Sequence, residues 1–375
     1  MIWLVFLISL AQTQLVFASE VGYILEGTTT YSKPQDLNPK FIMGEPGSSY
    51  ILVTTKSDLG PDGKSSALIT KIHESGKVAW EKEVSLGKYT TPSTGLSVKD
   101  GYLILGRYSN DKNIETPKRV FICKLSESGK NIFTKPLKTT AYIYTSVQAS
   151  DGNILIGGIF SDSGYAGCSY VAKVSRKGEL LWEETYFCSK GENGVSSVET
   201  TSTGDYIALG YNESGILLFG INEKGKLTWE KQYKNGPNTG VRLIKEGKEF
   251  LALAASDVSG QQQPEMYLFR VNETGDKVSE KSIKLVSVVT DIGHIPFKRT
   301  ADGYLIGYTV REPSRFVLLD LDNALNVTST NIWKNIDRVS DFHFLGKNRL
   351  SVIGLTYQNA AEPVTILNLK KSEGK

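Results

Sequence analysis

Runs of apolar residues recur along the chain at a nearly constant interval. They read "ALITKI" (67–72), "VFICKL" (120–125), "YVAKV" (170–174), "ILLFGI" (216–221), "MYLFRV" (266–271), "FVLLDL" (316–321) and "VTILNL" (364–369). Such runs are apolar almost throughout, which predicts strands buried on both faces between neighbouring sheets. Each leads into a turn and then a second strand in which an aromatic residue alternates with charge, as in "SGKVAWEKEV" (75–84), "KGELLWEETY" (177–186) and "KGKLTWEKQY" (224–233). Glycine in these turns supplies the positive φ that a tight hairpin demands. Ahead of the apolar runs stand strands that end in small residues: "DGYLILG" (100–106), "DGNILIGG" (151–158), "GDYIALG" (204–210) and "DGYLIG" (302–307).

The turn glycine serves as a ruler. Its equivalents are Gly76, Gly129, Gly178, Gly225, Gly275 and Gly374, with Leu325 in the one slot that lacks glycine, so successive spacings are 53, 49, 47, 50, 50 and 49. A period near 50 residues belongs to propellers and solenoids. Four residues after the ruler stand Trp80, Phe133, Trp182, Trp229, Ser279 and Ser329. One four-stranded sheet cannot bury such faces alone, so the units must stack. The glutamate that follows each tryptophan reads as part of a solvated face.

The seventh turn falls at Gly374-Lys375, where the last strand of its unit is due, and "VGYILEGTTTY" (21–31) offers a spare strand. Pairing of 21–31 with 364–369 is expected to supply the missing strand and leave no open edge. The expected architecture is all-β: a seven-bladed β-propeller of four-stranded antiparallel blades, one domain over 19–375. Units one and seven are the least regular, so counts of six and eight stay open.

The glycine-to-tryptophan turn, preceded by a tripeptide with Ser or Asn, resembles the tryptophan-docking repeats of quinoprotein dehydrogenase-like propellers and the repeats of exported bacterial propellers. The resemblance spans nearly all of residues 19–375. It implies a propeller and, because such repeats serve scaffolds and enzymes alike, no particular activity. Quinone-dependent members use adjacent cysteines and acidic calcium ligands; this chain has no vicinal Cys pair. No cofactor is expected.

Composition narrows the compartment and the partners. "IWLVFLISL" (2–10) is too short to span a bilayer and is followed by small residues, which predicts a signal peptide over 1–18 and a mature start at Ser19 or Glu20. The protein is therefore expected to be secreted or periplasmic, with no integral membrane segment. A net charge of +3 with no basic stripe predicts no nucleic-acid partner. Cys168 and Cys188 flank the hairpin around 175–178 almost symmetrically, which predicts a disulfide at its open end. Cys123, mid-strand, reads as a small buried hydrophobe. Sequons stand at Asn212, Asn272 and Asn326.

Catalytic motifs are missing. There is no G-x-S-x-G elbow and no phosphate-binding loop. "DLGPDGKS" (58–65) lacks the ordered ligands of a calcium loop. The three histidines, His73, His294 and His343, fall at different radial positions, so no metal site is expected. Two functional readings follow. The first is a monomeric, non-catalytic scaffold that presents one rim to a protein, peptide or glycan, with an inhibitor or immunity-type protein as a special case. The second is an enzyme with its site at the mouth of the central channel, where Arg242, Asp291, His294, Arg338 and Asp341 are the candidate binding or catalytic residues.

Overall fold

A computed structural model describes residues 22–31, 36–44, 49–58, 63–111, 119–161, 167–188, 191, 193–235, 238–256, 265–285, 287, 289, 295–310, 314–334, 336–346, 348–356 and 364–372. The expected signal peptide, Asp291, His294 and Gly374 lie outside these residues. The described residues form strands and turns and contain no helix long and apolar enough to cross a membrane.

Strand β1 (Tyr23–Tyr31) stands apart from its sequence neighbours. Then follow quartets: β2 (Asp36–Met43), β3 (Tyr50–Ser57), β4 (Ser65–Ile72), β5 (Val78–Val84); and β6 (Tyr89–Val98), β7 (Gly101–Ser109), β8 (Arg119–Leu125), β9 (Asn131–Pro136). These two quartets, counted below as the first and second sheets, are linked by a single parallel bridge, Ser65 to Tyr89. Each later quartet is a separate antiparallel sheet: β10 (Tyr142–Gln148), β11 (Ile154–Phe160), β12 (Cys168–Val174), β13 (Leu180–Tyr186); β14 (Gly194–Thr200), β15 (Tyr206–Asn212), β16 (Gly215–Ile221), β17 (Leu227–Asn235); β18 (Asn238–Glu246), β19 (Glu249–Ser256), β20 (Glu265–Asn272), β21 (Lys277–Lys284); and β22 (Phe297–Arg299), β23 (Gly303–Val310), β24 (Arg315–Asp322), β25 (Val327–Trp333). The last sheet takes β26 (Arg338–Phe344), β27 (Arg349–Leu355) and β28 (Val364–Lys371) from one end of the chain and β1 from the other.

The pairing expected for 21–31 is present. β1 runs antiparallel to β28, from Tyr23 opposite Lys371 to Tyr31 opposite Val364. The Gly22 amide donates to Ser372 Oγ at 2.9 Å, and the Ser372 amide returns a bond to the Gly22 carbonyl at 2.7 Å. Tyr23 reaches the preceding sheet, its amide donating to Asn331 Oδ1 at 3.0 Å.

The apolar runs are the third strands of their sheets, and β12 and β16 are buried at every position. They feed clusters shared by consecutive sheets: Ile51 and Ile69 of the first quartet meet Ile104 and Phe121 of the second, for example. The same kind of cluster joins the last sheet to the first, where Ile353, Val364 and Ile366 meet Leu37, Ile42 and Leu52. Cys123 is buried in the first of these interfaces.

The ruler turns have one geometry. The ruler amide donates to the carbonyl three residues back, as Gly129 to Ser126 at 3.0 Å, Gly225 to Asn222 at 3.0 Å and Leu325 to Asp322 at 3.0 Å. The ruler residue itself takes a positive φ, 78° at Gly129 and 64° at Leu325, the three-residue hairpin with a bulge that glycine fits best. The first residue's side chain caps the loop, as when Asn222 Oδ1 accepts the Lys224 and Lys226 amides, each at 3.0 Å.

Absence of a β-carbon has a second use there. The aromatic residue of one sheet lies on the ruler glycine of the next, so a β-carbon at Gly129 would stand 2.7 Å from Trp80, at Gly178 2.9 Å from Phe133, and at Gly225 3.0 Å from Trp182; Trp229 covers Gly275 in the same way. The indole nitrogens donate across the interface, Trp80 to the Glu127 carbonyl at 3.2 Å and Trp182 to the Glu223 carbonyl at 3.1 Å. Where the aromatic is replaced by Ser279, the next ruler is Leu325, 2% exposed and packed in the interface core. Side chain has changed sides: one residue's bulk fills the space the other leaves.

The glutamates beside the tryptophans do more than face solvent. Glu183 is exposed, yet it accepts a bond from the Tyr170 hydroxyl at 2.9 Å, and Glu280, in the equivalent place after Ser279, accepts one from Tyr267. The buried tyrosines need an acceptor, and the adjacent edge strand is the nearest source.

Cys168 and Cys188 are disulfide-bonded with a Cα separation of 4.5 Å. Closing a loop of this length contributes about 3 kcal/mol in the chain-entropy account.

If aromatic and ruler act as one unit, the pair can be restored in the sheet that lost it. Ser279→Trp and Leu325→Gly are each expected to destabilise the protein by about 1–3 kcal/mol, by overpacking and by loss of a buried side chain respectively. The double variant should recover at least about 1 kcal/mol relative to their sum, measured by denaturant unfolding of all four proteins. Additivity within about 0.5 kcal/mol would mean the two positions are independent.

Candidate functional site

Contacts between sheets run through their first strands: β2 meets β6 and β26, β6 meets β10, β10 meets β14, β14 meets β18, and β18 meets β22. All except the three-residue β22 carry a register shift at an equivalent place, between Pro39 and Phe41, Pro92 and Thr94, Ile143 and Thr145, Val195 and Ser197, Gly240 and Arg242, and Val339 and Asp341. Each is a β-bulge, which leaves local backbone groups without a ladder partner.

Side chains from the adjacent sheet meet that need. Ser197 Oγ accepts the Leu243 amide at 3.0 Å, and Asp341 Oδ2 accepts the Ile42 amide at 3.1 Å. Thr94 and Ser146 bond through their hydroxyls at 3.0 Å. The bulge also explains the small residues on the second strands. A β-carbon on Gly106, Gly158, Gly210 or Gly354 would run into the carbonyl oxygen of Thr91, Tyr142, Gly194 or Arg338 respectively.

This arrangement assigns work to the residues picked from sequence. Asp341 is engaged on every side: Oδ2 with Ile42, Oδ1 with the Phe342 amide at 2.8 Å and with Lys298 Nζ at 3.0 Å. It ties three consecutive sheets together. Arg242, on β18, stands instead beside Glu199 of β14, and Arg338 opens β26 opposite Leu355. Arg242 and Asp341 therefore serve different neighbours. Asp291 and His294 belong to the undescribed stretch before β22. His343 is buried against Tyr50, ring centroids 5.4 Å apart. Among the described residues no group of three His, Cys, Asp or Glu is placed to hold a metal ion.

Two features had no motif to announce them. Burial pushes the Glu199 carboxyl up to about 7, against the opposing pull of Arg242 and Lys245. On β7, the Arg107 guanidinium lies 3.7 Å from the centre of the Tyr142 ring on β10; its Nη1 is buried without a hydrogen-bond partner among the described residues, and burial lowers its pKa. A third feature lies at the opposite, tight-turn ends of the strands. There a cleft of about 530 Å³ between the fifth and sixth sheets is lined by Lys245, Glu246, Arg270, Arg299, Tyr304 and Asn323.

No family model and no curated protein matches the sequence. Among solved structures, similarity extends over most of the chain. The Pan2 WD40 domain of Neurospora crassa aligns with a TM-score of 0.57 at 11% identity, over 92% of this chain and 95% of that one. Virginiamycin B lyase from Staphylococcus aureus gives 0.52 at 13%, over 93% and 99%. BBS1N, in complex with ARL6DN, gives 0.53 at 10%, over 94% and 98%. The fold is of the β-propeller type. At such identities the likeness carries the fold and nothing of the activity.

Glu199 makes stability depend on pH with a definite sign. Its folded pKa is raised above the unfolded value of 4.5. The cost of ionising it is absent below about pH 4.5, grows as pH rises, and is complete above about pH 7. Glu199→Gln should therefore stabilise the protein by roughly 2 kcal/mol at pH 8 and by almost nothing at pH 4.5, in denaturant unfolding at the two pH values. Equal effects at both would mean that the carboxyl titrates normally.

Proposed function

We propose that this chain is an exported recognition scaffold, a ring of seven four-stranded blades closed by β1, whose loop-bearing rim binds a protein, peptide or glycan partner. The observation that carries the reading is the difference between the two rims. At one rim the third and fourth strands are joined by the same tight turn in every sheet but the last, whose fourth strand is β1. At the other, the second-to-third connections range from 213–214, through 161–167, to 110–118 and 257–264. A scaffold constrained only to fold has no need of such variety on one side, and recognition surfaces are usually built from loops held by a rigid frame.

Ring closure is supported by the antiparallel β1–β28 ladder, by the apolar cluster between the last and first sheets, and by Asp341 reaching Ile42. Export is supported by the apolar 2–10 segment and is compatible with the Cys168–Cys188 bond. Among the similar structures, BBS1N is bound to another protein, whereas virginiamycin B lyase bears the name of an enzyme. Both classes of function are thus open to the fold. Glu199 beside Arg242 favours a second reading, catalysis in the channel, with Glu199 as acid or base.

Binding is testable with glycan and peptide arrays. Saturable binding should be lost when 110–118 or 257–264 is replaced by a Gly-Ser segment of equal length, and kept when Lys99 and Lys248 on the tight-turn rim are replaced by alanine. Binding indifferent to both loops, or turnover of a bound ligand that Glu199→Gln abolishes, would replace the scaffold reading with another.

Closure has its own test. Deleting 22–31 should lower the melting temperature by about 10 °C or more and expose β28 to self-association. A truncated protein that melts with the full chain and stays monomeric would place the seam elsewhere.

A further inference from the structure

The cleft at the tight-turn rim differs from its counterparts in ways that the repeat itself makes visible. In the second and third sheets a lysine on the third strand pairs with an acid from the hairpin of the first two strands: Lys124 with Asp100 at 2.6 Å, and Lys173 with Asp151 at 2.7 Å. Those carboxylates are 70% and 45% exposed, so the pairs are solvated and weak. The fifth sheet has Arg270 and Glu246 in these places, and the Glu246 side chain is only 11% exposed. Its carboxylate holds Arg270 Nε at 3.1 Å, Arg299 Nη1 of the sixth sheet at 2.6 Å, and the Tyr304 hydroxyl.

Loss of the docking tryptophan contributes. Two sheets earlier, Trp182 donates to the second carbonyl of the following ruler turn, that of Glu223. Ser279 offers no indole here, and Arg270 Nη2 takes the equivalent carbonyl, Asn323, at 2.9 Å. Arg270 is thereby fixed at three points, Glu246, Asn323 and the Tyr304 oxygen at 3.1 Å.

Charge and unspent donors then identify a ligand class. Lys245, Arg270 and Arg299 against the single Glu246 leave the lining with two excess positive charges. Arg299 is 49% exposed, and among the described residues only its Nη1 is engaged in a hydrogen bond, which leaves Nε and Nη2 for an incoming acceptor. Planar guanidinium forks match oxyanions bidentately. Among the described residues no aliphatic or aromatic face other than the buried Tyr304 lines the space, and about 530 Å³ suits a small polar molecule. The geometry points to a binding site for a dianionic oxyanion, a phosphate or sulfate ester, with Arg299 as the direct ligand and Glu246 holding both guanidiniums in place. The site lies on the rim opposite the loops and is independent of the scaffold reading.

Isothermal titration at low ionic strength with inorganic phosphate, sulfate and acetate tests this. Phosphate and sulfate should bind saturably at pH 7.5, and acetate about tenfold more weakly. Between pH 6 and 8 phosphate should gain about tenfold relative to sulfate, because the second ionisation of inorganic phosphate lies near 7; sulfate does not titrate over this range and so reports any contribution from the protein's own groups. A gain confined to phosphate identifies the second negative charge as the requirement; at pH 8 the tighter of the two dianions identifies the better fit, and equal affinities identify charge alone, each of which keeps the dianion. Arg299→Gln, at a half-exposed side chain, should weaken binding about tenfold with an unchanged melting temperature, while Lys124→Gln in the solvated counterpart should leave it unaltered. The inference is overturned if neither dianion binds saturably up to about 10 mM, if acetate equals sulfate, or if Arg299→Gln stays within about twofold of the parent.

Discussion

An aromatic ring laid on a glycine of the next sheet is the contact on which the architecture rests. It solves two problems together. The tight turn between third and fourth strands needs a residue at positive φ, and glycine accepts that conformation without strain. The same missing side chain leaves a flat patch of backbone on which Trp80, Trp182 or Trp229 can lie, while the indole nitrogen of the first two finds a carbonyl in the turn. Local backbone geometry and long-range packing are thus fixed by one residue, and the contact repeats with the period of the chain. Ser279 and Leu325 are the exception that fits, since bulk lost on one side of the interface reappears on the other.

The first strands work by a complementary rule. All but β22 bend at a bulge, and the bulge frees backbone groups that would be costly to bury. Ser197 and Asp341 spend their side chains on those groups in the adjoining sheet. A polar first strand is therefore partly a structural necessity, and polarity alone is a poor sign of chemistry there. What stands out is a carboxyl whose burial outweighs the groups that favour its charge, as at Glu199, or charge gathered beyond what one pair needs, as around Glu246.

Much of this was legible in the residues, and the limits have physical causes. The third strands announce themselves because both faces are buried, and the ruler turns because glycine, Asn and Ser have few other reasons to recur together. Cys168 and Cys188 could be paired by symmetry about a hairpin of known centre. The first strands were not visible as strands, since a bulge such as that at Tyr144 breaks the alternation of period two. Their trace was present one strand later, in Gly106, Gly158 and Gly210, whose lack of a β-carbon is a record of the carbonyl pressed against them. Asp341 looked like a binding residue because its partner is a backbone amide nearly 300 positions away, which no local pattern encodes. Arg299 and Glu246 belong to different repeats, and neither is unusual within its own.

The β1–β28 ladder also orders events in time. Gly22 and Ser372 exchange hydrogen bonds across 350 positions of sequence. A ribosome releases β1 long before β28 exists, so the first of the described strands has no ladder partner until the last has been made. The six sheets between can form from neighbouring segments as they appear, but the seventh waits for both. Folding is therefore local along most of the chain and then, at one step, as non-local as the chain allows. During that interval the open sides of the first and last sheets, with Leu37, Leu52 and Ile366 uncovered, are the surfaces a chaperone would need to shield.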